Sequence, residues 1–175
     1  MLFPKNIKTW KHNSAVNEDT MRQLLEFKPK QIVDVGAGDG FYGKLIKYCL
    51  PETFVCAVEK RKDYILQWKL EEIYNKVLNE DIIKAIDIVT GDLIIFGDVL
   101  EHLEKKYSVE VLDKAVRKFK NILINSPVGF QPQEHKFAEE IHRCGLDRED
   151  FMNYQVVEYH TYCNNMMFNC LLLGG

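Results

Sequence analysis

The sequence predicts an α/β domain built on a mostly parallel sheet. Strand-like and helix-like patterns alternate along the chain. A glycine-rich turn, Gly36-Ala37-Gly38-Asp39-Gly40, joins the first apolar run directly to a helical pattern. Near the C-terminus two strand-like runs follow one another without an intervening helix, which reads as an antiparallel hairpin.

The elements follow in order. Ser14 to Phe27 is a helix: Glu18 and Asp19 suit its start, Met21, Leu24 and Leu25 share a face, and Lys28-Pro29 ends it. Gln31 to Val35 is the first buried strand. The helix after the glycine turn runs from about Gly40 to Leu50, with Phe41, Leu45, Ile46 and Cys49 at helical spacing and Pro51 closing it. Thr53 to Val58 is the second strand. Asp63 to Asn75 reads as one helix with Leu66, Leu70 and Ile73 on one side. Lys76 to Leu78 and Leu93 to Phe96 are the third and fourth strands. Leu112, Ala115, Val116 and Phe119 mark the next helix, and Asn121 to Ile124 is the fifth strand. Gln155 to Tyr159 and Met166 to Leu173 form the hairpin, and Gly174-Gly175 reads as a frayed end. Residues 1–13, with Phe3, Trp10 and His12, are either a lid over the site or an arm packed on the sheet.

At 175 residues the chain is expected to be a single domain, 1–175. Hydrophobic residues make up 46% and charged residues 28%, a globular composition. Runs such as Leu93-Ile94-Ile95-Phe96 are too short to cross a bilayer, and Met1 to Asn6 lacks a signal-peptide pattern. The five cysteines contain no Cys-x-x-Cys pair, which points to reduced thiols in a cytoplasmic protein. Net charge is −3, and the basic clusters Lys60-Arg61-Lys62 and Lys105-Lys106 are short. Neither a membrane nor a nucleic acid is the expected partner, because a nucleic-acid binder needs a broad positive surface. The oligomeric state is left open.

Glycines between a strand and a helix permit positive φ and close approach of a ligand, and the helix N-terminus adds free N–H groups. A dinucleotide is one candidate, since Gly38-Asp39-Gly40-Phe41-Tyr42-Gly43 satisfies G-x-G-x-x-G. That match starts beyond the strand tip and places Asp39 where a pyrophosphate would be repelled. The other candidate is S-adenosylmethionine, a sulfonium with an amino group, a ribose and an adenine. Carboxylates at successive strand ends suit it: Asp34, then Glu59 roughly 20 positions after the turn, then Asp81 and Asp98.

On these residues the chain resembles the class I S-adenosylmethionine-dependent methyltransferases over essentially its whole length. Val33-Asp34-Val35-Gly36-Ala37-Gly38-Asp39-Gly40 looks like their first motif, Ala57-Val58-Glu59 their second, and Asn79-Glu80-Asp81-Ile82 their third. Phe96-Gly97-Asp98-Val99-Leu100-Glu101-His102-Leu103 resembles their motif after the fourth strand. The resemblance implies a doubly wound seven-stranded sheet of order 3-2-1-4-5-7-6, with helices on both faces. It implies S-adenosylmethionine as cofactor and S-adenosylhomocysteine as product. The cofactor-binding set is Asp34, Gly36, Ala37, Gly38, Glu59, Asp81, Ile82, Gly97 and Asp98. Glu59 would take the ribose hydroxyls, Asp81 and Ile82 the adenine, and Gly97 and Asp98 the methionine end. The Asn/Asp-Pro-Pro-Tyr/Phe signature of many amino-methylating members is absent after the fourth strand; Asn125-Ser126-Pro127 follows the fifth.

Methyl transfer is an in-line displacement, helped by a base where the acceptor carries a proton. His102 and Asp98 are the catalytic candidates, on a helical turn that would bring Asp98, Glu101 and His102 to one face. Glu101, Phe130 and His135 are candidate substrate contacts, the last two from the loop after the fifth strand. No metal is assigned. A divalent ion on Asp98, Glu101, His102 and His135 is the alternative use of these residues, since oxygen and imidazole ligands suit Mg²⁺, Mn²⁺ or Zn²⁺. The expected function is methyl transfer to O or N of a small-molecule acceptor. The competing readings are a non-catalytic S-adenosylmethionine-binding scaffold and an NAD-dependent oxidoreductase.

Overall fold

Successive side chains of a strand face opposite sides of a sheet, and here both sides are apolar. In the computed structural model, which describes residues 14–175 apart from Lys136, Ile32, Val55, Ala57 and Ile95 enter one core, and Val33, Val35, Val58, Ile94 and Phe96 enter another. A sheet buried on both faces needs helices on both faces.

The chain supplies them in the order α1 (Ser14–Phe27), β1 (Gln31–Val35), α2 (Phe41–Cys49), β2 (Phe54–Val58), α3 (Lys62–Gln67), α4 (Leu70–Ile73), β3 (Lys76–Leu78), α5 (Ile82–Ala85), β4 (Leu93–Gly97), α6 (Lys105–Lys118), β5 (Asn121–Pro127), β6 (Gln155–Tyr162) and β7 (Met167–Leu173). The seven strands are ordered β3-β2-β1-β4-β5-β7-β6, with only β7 and β6 antiparallel to their neighbours. This is the predicted order, hairpin included. Leu24, Leu45, Ile46, Ile65 and Leu70 cover one face; Ile82, Ile86, Val111, Leu112, Ala115 and Phe151 cover the other. No helix among the described residues is long and apolar enough to cross a membrane.

Register aligns the ends that matter. Val35 pairs with Val58 and with Phe96, and Gly97 pairs with Asn125. Gly36, Glu59 and Asp98 therefore leave the sheet at one edge, on either side of the point where the strand order reverses. That is where open α/β sheets bind ligands.

A buried polar chain ties α1 to the sheet. Asn125 Nδ2 donates to Thr20 Oγ1 (3.0 Å) and Tyr42 Oη (2.8 Å), and Asn169 Nδ2 donates to Asn125 Oδ1 (2.8 Å). Gln23 Nε2 donates to Asn169 Oδ1 and to Glu158, each at 2.9 Å. Each buried amide in this chain thus has partners, which removes the penalty of burying it alone.

Three expectations are corrected. The helix predicted from Asp63 to Asn75 is two short helices, because Lys69 adopts φ 51° between them. The break lets Leu70 bury fully while Leu66 stays 68% exposed, so the two do not share a face. The C-terminal glycines do not fray: Gly174 N donates to Lys120 O and Gly175 N to Val116 O, each at 3.0 Å. A Cβ on Gly174 would lie 2.0 Å from Phe119 O, so the backbone docks only as glycine. The helical turn expected from Asp98 begins at Leu100, since Asp98 itself has φ 53°. Residues 1–13, with Phe3, Trp10 and His12, lie outside the described residues.

On β6 a bulge between Val156 and Glu158 shifts the register against β7. The opposite edge strand, β3, has three residues.

Candidate active site

The glycine turn folds as its sequence demands. Gly36, Gly38 and Gly40 have φ of 66°, 52° and 78°. Gly36 N donates to Val58 O at 2.8 Å, and Gly40 N to Ala37 O at 2.7 Å. At Gly36 a Cβ would lie 2.6 Å from Val99 Cγ2, so both conformation and space require glycine.

Glu59, 5% exposed, faces this turn. Its Oε2 accepts from Gly38 N at 2.9 Å and its Oε1 from Arg61 N at 2.8 Å. Burial raises its carboxyl, and those two N–H bonds offset part of the rise. Asp81 caps α5, with Oδ1 accepting from Ile83 N at 3.0 Å and Oδ2 2.9 Å from Lys60 Nζ. Burial works to raise its carboxyl, but the Ile83 N–H and Lys60 outweigh it and hold it below the usual carboxylate range.

These groups line a cleft of about 320 Å³, with Gly36, Gly38, Glu59, Asp81, Ile82, Asp98 and His102 on its walls and Glu139, Glu140 and Arg143 across it. A second cavity of about 670 Å³ is walled by Ala37, Tyr42, Gly97, Glu101, His142 and Met166. The two meet at Gly36, Gly38, Asp98, His102 and Glu140.

Backbone shape at the end of β4 explains the junction. A Cβ on Gly97 would lie 2.0 Å from Tyr42 Cε2, so the Tyr42 ring occupies the space that any side chain here would need. Asp98 N donates to Asn125 O at 2.9 Å, and Asp98, left-handed at φ 53°, lines both cavities. A non-glycine residue in this conformation costs about 1–3 kcal/mol and persists where surrounding structure enforces it.

Glu101 is 1% exposed, and neither of its carboxylate oxygens makes a hydrogen bond. Ser126 Oγ, also buried without a partner, is its neighbour. Burial, then the charge of Asp98, pushes the Glu101 carboxyl up. Burial, then His142, lowers the His102 ring, which is therefore neutral at pH 7. Its Nδ1 is buried without a hydrogen bond. The His102 and His142 rings meet edge to face, centroids 4.9 Å apart.

His142 comes from the segment after β5, as expected of a histidine here, but it is not the residue the sequence nominated. His135 is exposed and lines neither cavity; nor does Phe130, 57% exposed. Arg143 N and Cys144 N donate to Glu101 O at 2.7 and 3.1 Å, which docks His142 beside His102. Nothing in the spacing of residues 128–144 singles out His142. The same segment is fastened at its other end by Arg61, whose guanidinium lies 3.9 Å from the Tyr64 ring centre and 3.6 Å from that of Phe137, with Glu140 3.6 Å away.

Asp34 stands apart from both cavities. It is fully buried, and its Oδ2 accepts the Tyr74 hydroxyl at 2.5 Å while Oδ1 has no partner. Tyr74 Oη in turn accepts Gly43 N at 3.1 Å. Burial pushes the Asp34 carboxyl up to about 7, against the pull of the Tyr74 hydrogen bond.

No protein-family model and no curated protein sequence matches the chain. Solved structures do match in shape. A S-adenosylmethionine-dependent methyltransferase from Clostridium acetobutylicum superposes with a TM-score of 0.71 at 10% identity, covering 98% of this chain and 96% of that one. The N-terminal domain of EvdMO1, crystallised with S-adenosylhomocysteine bound, gives 0.66 at 15% identity, with 90% and 80% covered. An O-methyltransferase family protein from Burkholderia thailandensis gives 0.60 at 11% identity, with 93% and 59% covered. With the strand order β3-β2-β1-β4-β5-β7-β6, these likenesses give the chain the fold of the class I S-adenosylmethionine-dependent methyltransferases.

Proposed function

We propose that the chain is a single-domain S-adenosylmethionine-dependent methyltransferase, acting on an O or N atom of a small-molecule acceptor in the cytoplasm. The observation that carries this reading is the junction of two cavities at Asp98 and His102. Methyl transfer needs a donor cleft and an acceptor cavity that touch at one point, where the nucleophile lies in line with the sulfur–carbon bond.

In this reading the ribose hydroxyls donate to Glu59, whose oxygens keep lone pairs beyond the Gly38 and Arg61 N–H bonds. Ile82 and Asp81 would hold the adenine. The bare backbone of Gly36, Ala37 and Gly38, with Gly97 and Asp98, would hold the aminoacyl end. Asp34 acts from behind: through Tyr74 and Gly43 it fixes α2, and with it the turn. Bound there, S-adenosylmethionine would supply a methyl on cationic sulfur, whose carbon–sulfur bond would break as the new carbon–oxygen or carbon–nitrogen bond formed, the electron pair staying on sulfur. The acceptor's proton passes to the neutral ring of His102. The fold likeness and the S-adenosylhomocysteine bound by EvdMO1 support the choice of donor.

Calorimetric titration tests the donor. Folded protein that binds neither S-adenosylmethionine nor S-adenosylhomocysteine sinks the proposal. With binding in hand, release of S-adenosylhomocysteine across a panel of hydroxyl and amine acceptors identifies the substrate.

A further inference from the structure

We infer that Glu101, His102 and His142 form a binding site for a divalent first-row transition cation, with open coordination positions facing the second cavity. Among the described residues, these three each place one ligand atom within 4.8 Å of the others. Ligands at about 2.1 Å from one tetrahedral ion lie about 3.4 Å from one another. A cation therefore has to draw the three groups together by at most about 1.4 Å, a movement that side-chain rotation can supply.

Two independent features point to a ligand. Glu101 is an acid in the protein interior with neither oxygen in a hydrogen bond of good geometry and only partial relief from the neighbouring Ser126 hydroxyl, so its charged form is costly unless something positive meets it. Among the described residues no Lys or Arg forms an ion pair with it. The second feature is the tautomer of His142. Its Nδ1 lies 2.6 Å from the Gln131 carbonyl oxygen, which can only accept, so Nδ1 carries the hydrogen. In the neutral ring Nε2 then holds a lone pair. A backbone carbonyl on the far nitrogen is how metal-binding imidazoles are oriented. His102 adds a second imidazole with an unbonded buried nitrogen.

Two imidazoles and one carboxylate favour Mn²⁺, Fe²⁺, Co²⁺ or Zn²⁺ over the oxygen-seeking Ca²⁺. All three ligands line the second cavity, so a water or an acceptor oxygen would take the open positions. That last use rests on the methyltransferase reading; the cation site does not. With the ion bound, the His102 lone pair is on the metal and the acceptor's proton would pass to water, so the base role of His102 belongs to the ion-free protein.

The ligands also come from two parts of the chain. Glu101 and His102 belong to the turn after β4, and His142 to the segment whose Glu139, Glu140 and Arg143 cross the donor cleft. A bound cation therefore cross-links that segment to the body of the domain, and slows its opening.

The experiment is a titration of the full chain with Mn²⁺, followed by the paramagnetic signal of the free ion, and with Zn²⁺ in competition with a chromophoric chelator. One equivalent is expected to bind. Glu101→Gln and His142→Ala should each weaken it at least tenfold, while His135→Ala leaves it unchanged. Circular dichroism of each variant establishes that it is folded, and His142→Ala, in an irregular segment, removes no core side chain. Absence of binding by both ions, or undiminished affinity in both ligand variants, overturns the site. Amide exchange at residues 141–144 should slow at least threefold with Zn²⁺; equal rates with the ion bound overturn the cross-link. Titration with S-adenosylhomocysteine in metal-free buffer reads the donor separately. A cation bound without donor binding leaves this site standing and removes the methyltransferase reading; the reverse removes only the site.

Discussion

Replacing Asp34 by Asn should change how stability depends on pH, by an amount that follows from one buried carboxyl. Asp34 is shifted from 3.8 to about 7, chiefly by burial. Between those values the folded chain holds a proton that the unfolded chain has released. Stability therefore falls as pH rises through this window and levels off above about 7. At 1.36 kcal/mol per unit the whole loss is about 4 kcal/mol. Asn keeps the shape and an acceptor for the Tyr74 hydroxyl, but has no proton to lose. The assay is urea unfolding of wild type and Asp34→Asn at intervals from pH 4 to pH 8. The variant should gain on the wild type steadily, reaching about 4 kcal/mol more relative stability at pH 8 than at pH 4. A difference that stays constant across this range would refute the reasoning. A difference that shrinks with pH would mean that Tyr74 outweighs burial.

The other predictions concern the cavities and their cover. Gly36→Ala should cost about 2 kcal/mol in thermal or urea unfolding, from left-handed strain plus the Val99 contact, and Val99→Ala should restore only part of it. Under the methyltransferase reading, His102→Ala should lower kcat about 100-fold while leaving S-adenosylhomocysteine affinity within a few fold, as expected of a proton acceptor; equal turnover would remove His102 from the chemistry. Arg61→Ala removes the guanidinium held between Tyr64 and Phe137, so limited proteolysis within residues 137–143 should accelerate several-fold. Unchanged cleavage would mean that the Glu101 backbone anchor alone holds the segment.

The sheet was legible because its strands advertise themselves locally. Gln31 to Val35 and Leu93 to Phe96 are apolar on both faces, and the glycine turn fixes where the first strand stops. The groups at strand ends were legible for the same reason: once the strands are parallel, Glu59, Asp81 and Asp98 must leave at one edge. What escaped was set by tertiary packing. The break at Lys69 follows from burying Leu70, not from any helix-breaking residue. His142 is chosen over His135 by a backbone dock onto Glu101 that no periodicity encodes. Asp34 was legible as a motif residue, but its direction was not. Only the position of Tyr74, forty residues on, decides that it faces inward, away from both cavities.

The two rims of the sheet bear on behaviour at high concentration. An open sheet offers unpaired N–H and C=O groups at each side, a template on which another copy can add a strand. Val156 and Val157, both exposed on β6, make that side adhesive. The bulge beside them breaks the straight row of donors and acceptors that strand addition requires. On the other side β3 is too short to seed a ladder. Straightening β6 by deleting Val157 would restore the row, and the expected consequence is a chain that folds but precipitates through strand-to-strand growth.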